Sequence, residues 1–185
     1  FGVTLDAAGS IYVTGWTASE DFPLLNSSQP ALSGYKDAFL TKLSAAADRI
    51  LFSRYLGGSG SDSALAIVAS AGGGDFLTGE TDSTNFPTMA PAFAGNAGRI
   101  DAFVARIGDS GLLLAATYYG GGGDDRVRAI TLDRAGAVII GGTTDSPNLP
   151  QRSGASNLLG GYQDGFLAAF PATLASLTNS TYLGG

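Results

Sequence analysis

The segment Gly9 to Pro23 (GSIYVTGWTASEDFP) returns twice along the chain, as Gly73 to Pro87 (GGDFLTGETDSTNFP) and Gly136 to Pro150 (GAVIIGGTTDSPNLP), at offsets of 64 and 63 residues. A period of that size confines the chain to an array of one supersecondary unit, each copy hiding its apolar side against the next. Asp37-Ala38-Phe39-Leu40 returns as Asp101-Ala102-Phe103-Val104 and Asp164-Gly165-Phe166-Leu167 at the same offsets. Tyr55-Leu56-Gly57-Gly58 returns as Tyr118-Tyr119-Gly120-Gly121 and Tyr182-Leu183-Gly184-Gly185, shifted by 63 and 64. The one-residue slip falls in a turn, where a change of length perturbs least. The chain reads as a single unit of three copies, near residues 1–63, 64–126 and 127–185. It opens inside one block and closes on another, which leads us to expect either further copies of the repeat or copies of the chain that complete it.

Within the second copy, Ala64 to Ser70, Asp75 to Thr81, Asp101 to Ile107 and Leu112 to Tyr119 each read as a strand. They are rich in β-branched or aromatic residues and bounded by Gly, Asp or Ser, and no window carries a capped stripe of 3.6-residue period. The fold class is all-β. Four antiparallel strands per repeat, stacked in tandem, follow the blade logic of a β-propeller. A parallel β-helix is the alternative, although its coils are usually much shorter than this repeat and do not need two tight turns each.

Composition removes several functions. With no cysteine and no histidine the chain offers no disulfide, no thiolate nucleophile, no Ser-His-Asp triad and no ordinary zinc site. Its most apolar stretch, Leu112 to Tyr119, is far shorter than the roughly 20 residues of a membrane-spanning helix, so membrane insertion is not expected. A net charge of −6 repels phosphate backbones, which argues against nucleic acid as a partner. An apolar content of 44% with few charges suits sheets covered on both faces.

The order of these blocks resembles the bacterial SBBP repeat, a β-propeller repeat named for a seven-bladed arrangement. The matching residues are Asp6, Tyr12-Val13-Thr14-Gly15, Thr17, Ser19, Phe22-Pro23, Asp37-Ala38-Phe39, Lys42 and Tyr55-Leu56-Gly57-Gly58, with counterparts in all three copies. Ser70 departs from Asp6, Leu149 from Phe22 and Ala169 from Lys42, so the third copy is the most divergent. The resemblance implies a secreted or cell-surface bacterial protein of many repeats, generally without enzymatic activity.

The repeated residues also have direct physical readings. Gly15, Gly79 and Gly142 sit near the end of the second strand, where a missing side chain permits a bulge or a close neighbour. Tyr55, Tyr118 and Tyr182 combine apolar area with a hydroxyl that can reach a loop backbone. Gly57-Gly58 and their counterparts suit backbone with positive φ.

In an antiparallel repeat, the loops after the second and fourth strands emerge on one side. Glu20, Asp21, Asp37, Asp62, Glu80, Asp82, Asp101, Asp124, Asp125, Asp145 and Asp164 fall there, against Lys36, Arg99, Arg126 and Arg152. The sharp reading is a rim that binds cations or a basic partner, and the plain one is Asp capping turns. Asp37, Asp101 and Asp164 recur at strand starts, which favours hydrogen bonds to a local turn. Gly57 to Asp62 and Gly120 to Val127 resemble the opening of the GGxGxDxUx calcium nonapeptide and make Asp62, Asp124 and Asp125 candidate ligands. Those rolls bind between adjacent nine-residue turns, and a lone match leaves calcium short of its six to eight oxygens.

Paired carboxylates are the only catalysis the composition leaves open, as in glycoside hydrolysis. Nothing in the spacing singles out a pair. Trp16, Glu80 and Thr143 occupy one register position and break the repeat; Trp16, the sole tryptophan, could stack on a sugar, and burial between sheets is its more ordinary role. Two functions follow. The first is a non-catalytic extracellular scaffold or adhesin that needs no cofactor, whose partner is a protein, a polysaccharide or another copy of itself. The second is a carbohydrate-binding or carbohydrate-active unit using Trp16, Glu80 and Asp82.

Overall fold

The computed structural model describes residues 1–185 and contains twelve strands and no helix, hence no helix long and apolar enough to cross a membrane. In chain order they are β1 (Gly2–Leu5), β2 (Ile11–Thr17), β3 (Asp37–Leu43), β4 (Ile50–Leu56), β5 (Asp62–Val68), β6 (Asp75–Thr81), β7 (Asp101–Ile107), β8 (Leu113–Tyr119), β9 (Asp125–Leu132), β10 (Val138–Thr144), β11 (Asp164–Phe170) and β12 (Asn179–Leu183). They form three antiparallel four-stranded sheets, ordered β1-β2-β3-β4, β5-β6-β7-β8 and β9-β10-β11-β12, so each repeat is one sheet. The expected strands of the second copy are present, but the first spans Asp62–Val68, two residues earlier than the Ala64 to Ser70 expected. Pairing begins early because the Asp62 amide donates to the Lys36 carbonyl of the preceding sheet at 2.8 Å. It ends early because Ser70 is drawn into the turn that Gly73 closes.

Successive sheets lie face to face. Tyr12, Leu40, Phe52 and Leu56 of the first sheet meet Leu77, Phe103, Ala105 and Tyr118 of the second in one buried core. The opposite face of the second sheet presents Phe76, Val104 and Tyr119 to Val138, Ile140, Phe166 and Tyr182 of the third. Burial along the strands follows this stacking. In β7, at the middle of the middle sheet, nearly every residue is buried, whereas β11 alternates between buried and half-buried because only one of its faces is covered. First strands run along one edge of the stack, β1 against β5 and β5 against β9. The sheets form an open stack and do not close on themselves.

The three recurrent tyrosines occupy matching places at the ends of β4, β8 and β12. Their hydroxyls donate to the carbonyls of Ser19, Ser83 and Ser146 at 2.6, 2.8 and 2.7 Å. Tyr118 and Tyr182 also accept from the amides of Phe86 and Leu149, so each pins the long loop after the second strand onto its own sheet. Under this strap Phe86 stacks on Phe103 with ring centroids 4.4 Å apart, as Phe22 lies over Phe39 at 4.7 Å.

The glycines expected to permit close approach do so. A Cβ on Gly79 would fall 1.9 Å from the Ser63 carbonyl oxygen, and one on Gly142 2.0 Å from that of Arg126, both where the first strand of the sheet bulges. Gly57-Gly58 and their counterparts differ from expectation. None has positive φ; a Cβ on Gly57 or Gly120 would strike buried aspartate side chains, so glycine is required there for space.

Replacing Tyr118 by Phe leaves the Phe86 N–H and the Ser83 carbonyl buried without a partner, a loss of about 2–3 kcal/mol. Urea unfolding is expected to show a lower midpoint at unchanged slope. An unchanged midpoint would show that the strap does not hold the loop.

Candidate functional site

Loops after the second and fourth strands converge on one rim of the stack, where consecutive sheets are stitched by backbone. Tyr35 N donates to Gly60 O and Asp62 N to Lys36 O at the first seam, and Arg99 N to Gly123 O and Asp125 N to Ile100 O at the second. Beneath this stitching each seam holds two buried aspartates. Asp62 accepts from Gly58 N at 2.8 Å, Ser83 Oγ at 2.9 Å and Thr81 Oγ1. Asp125 accepts from Gly121 N, Ser146 Oγ and Thr144 Oγ1 in the same way. Across the seam, Asp37 accepts from Ser33 N, Gly34 N and the Gln29 amide, and Asp101 accepts from Ala97 N at 2.8 Å. Asp164 accepts from Gly160 N. The strand-start aspartates are therefore turn acceptors, as their positions suggested.

This geometry describes the calcium candidates closely. Asp62 and Asp125 are surrounded by hydroxyl and amide donors, the environment of a held anion and the reverse of what a cation needs. Asp124 is half-buried and pairs with Arg99 and Arg126 at 3.1 Å each. No group of three or more acidic side chains is arranged to hold a metal ion.

The carbohydrate candidates lie closer together than the chain suggests. Trp16 is 44% exposed, which overturns the expected burial between sheets: its strand position lies at the rim, beyond the buried aromatic layer. The Lys36 ammonium sits 4.7 Å from its ring centroid. Lys36 also lines a cleft of about 100 Å³ with Glu80 and Asp82, and so connects all three. Glu80 is held by Arg126 at 2.9 Å and Arg128 at 2.6 Å, and Asp82 accepts from Ser61 N. Both carboxylates are thereby held in place as acceptors. Spacing along the chain does not reveal the Arg126–Glu80–Arg128 cluster, because Glu80 lies on one sheet and the two arginines on the next.

The two seams differ around the facing carboxyl groups. At the first, the Gln29 amide donates to Asp37 while its oxygen accepts from Gly57 N. At the second, Phe93 stands at the register place of Gln29, and Asp101 Oδ1 is buried with no hydrogen-bond partner. Both Asp101 Oδ1 and Asp125 Oδ2 come within 3 Å of the place a Cβ on Gly120 would take, so the carboxyl groups face each other across this glycine. Burial, and then the charge of Asp125, push the Asp101 carboxyl up to about 7. Burial also raises Asp125 and Asp62, against the donors that lower them.

No protein-family model matches the chain, and no curated protein matches it either.

A carboxyl raised on folding binds more protons in the native than in the unfolded chain. Its contribution to stability is full below pH 4, is lost as pH rises toward 7 and is constant above. Asp101→Asn supplies a neutral donor toward Asp125 at every pH. It is expected to raise stability at pH 8 by on the order of 2–4 kcal/mol and to flatten the loss between pH 4 and 7. Thermal unfolding across that range checks this; parallel wild-type and variant curves would show that Asp101 is not the group.

Proposed function

We propose that the chain is a run of SBBP-type β-propeller blades in a bacterial extracellular or cell-surface protein, with a non-catalytic role as a scaffold that associates through its sheet faces. One observation carries this reading. Tyr12 and Leu40 of the first sheet are buried against the second, and the register equivalents on the third sheet, Ile139 and Leu167, line an open shallow groove beside Leu183, which is 56% exposed. At the other end of the stack, Val3 and Leu5 are also exposed. The two end faces carry the same strand positions that pair at each internal seam, so one suits the other, head to tail. A further copy of the repeat in a longer chain, or a second chain, would bury both.

Light scattering on the size-separated 185-residue chain is expected to give a mass above the monomer that rises with concentration. Leu167→Asp, which sets a charge in the groove, is expected to return it to the monomer. A wild-type monomer at all concentrations would count against association between chains.

The exposure of Trp16 beside Lys36, Glu80 and Asp82 favours a second reading, a carbohydrate-binding rim. A glycan array with the wild type and Trp16→Ala tests it. Absence of binding, with no difference between the two proteins, removes this reading.

A further inference from the structure

Two cationic side chains are buried in this protein. One, Lys42, has an acid partner: its ammonium lies 3.0 Å from Asp6. The other, Arg54 on β4, is 3% exposed and makes no ion pair. Its acceptors are neutral: the Gly111 carbonyl of the neighbouring sheet, Ser28 Oγ at 2.6 Å and, at 3.5 Å, the Tyr55 carbonyl. A guanidinium carries five N–H groups, so two remain without a partner. Burial lowers its proton affinity, with no acid to offset the effect. A buried charge without a counter-ion is costly, and here three neutral acceptors offset only part of that cost.

Arg54 also breaks the repeat. Thr117 and Thr181 stand at its place in the other copies, where their hydroxyls bond the backbone of Phe93 and Ser156. Ser28, its partner, is replaced there by Ala92 and Ala155. Around Arg54 the outer seam between the first and second sheets opens into a groove of about 460 Å³. Ser28 and Arg54 form its polar floor, and Pro87, Met89, Leu112 and Leu113 its apolar flank. Met89 and Leu112 are well exposed to solvent there.

We propose that this groove binds a carboxylate with an apolar body, the anion on the free N–H groups of Arg54 and the Ser28 hydroxyl, and the body against Met89 and Leu112. A planar monoanion matches both the fork of a guanidinium and its single charge. A phosphate would bring up to two charges and three acceptor oxygens to a site with one cation, beside Asp37, which Gln29 already bridges. The carboxylate could come from a short fatty acid or from the C-terminus of an apolar peptide.

Hexanoate and N-acetyl-leucine represent these two sources, with inorganic phosphate as the control. Met89, the sole methionine, gives a single methyl signal inside the groove once labelled with carbon-13. Titration at pH 7 is expected to move that signal saturably and to raise the melting temperature with at least one organic acid and not with phosphate; the stronger of the two identifies the source. Arg54→Thr installs the residue of the sister copies. It is expected to weaken binding at least about tenfold while melting no lower than the wild type in the absence of ligand. Arg54→Lys keeps the charge, loses the fork and is expected to bind more weakly than the wild type. An unmoved methyl signal in the wild type, binding that survives both substitutions, or an equal response to phosphate would overturn the proposal. Arg54 would then be a tie between sheets, which an Arg54→Thr variant of lowered stability would reveal.

Discussion

Each seam between sheets depends on a buried aspartate satisfied by its own sheet. Asp62 and Asp125 stand at the first residue of β5 and β9, each collecting an amide and two hydroxyls, while their own amides donate back to the preceding sheet. A carboxylate fully supplied with donors can stay buried, and a backbone amide given to a neighbour fixes how closely that neighbour lies. The greasy faces then meet in fixed register. The recurring Gly-Gly after the fourth strand follows from the same constraint, because a side chain there would displace the carboxyl groups.

The seam also brings like charges together. At the first, Gln29 places an amide against Asp37, although the charge of Asp37 still acts on Asp62. At the second that amide is missing, and burial together with the charge of Asp125 pushes the Asp101 carboxyl up to about 7. Two seams of the same design thus hold their facing carboxyl groups differently, with an amide at the first and an unpartnered Asp101 oxygen at the second. Arg54 is a comparable local departure. It replaces a threonine that elsewhere ties a loop to its own strand, and directs that position toward the next sheet.

Much of the fold was legible in the chain because the repeat recurs three times and each copy checks the others. A strand boundary misjudged in one copy can be corrected from the next, which is why the tyrosines, the strand-start aspartates and the bulge glycines were all placed correctly from spacing alone. The site was less legible. Trp16 read as a residue for burial because a lone tryptophan usually is one, and nothing local reveals that its strand position lies beyond the buried layer. The role of Gly57 was misread because a glycine needed for space looks like a glycine needed for φ. Arg54 was not singled out at all, since an arginine in a strand usually reaches solvent.

Periodicity, turn residues and alternation act over a few residues, and they determined the all-β class, the strand number and the sheet assigned to each copy. Which faces are covered, which carboxyl groups oppose one another and which cation lies without an acid are relations between residues dozens of positions apart. Three nearly equal repeats cannot encode them one by one, because the same side chain is interior in the middle sheet and exposed at the end of the stack. Burial and electrostatics depend on what lies opposite, and only the stacked structure places anything there.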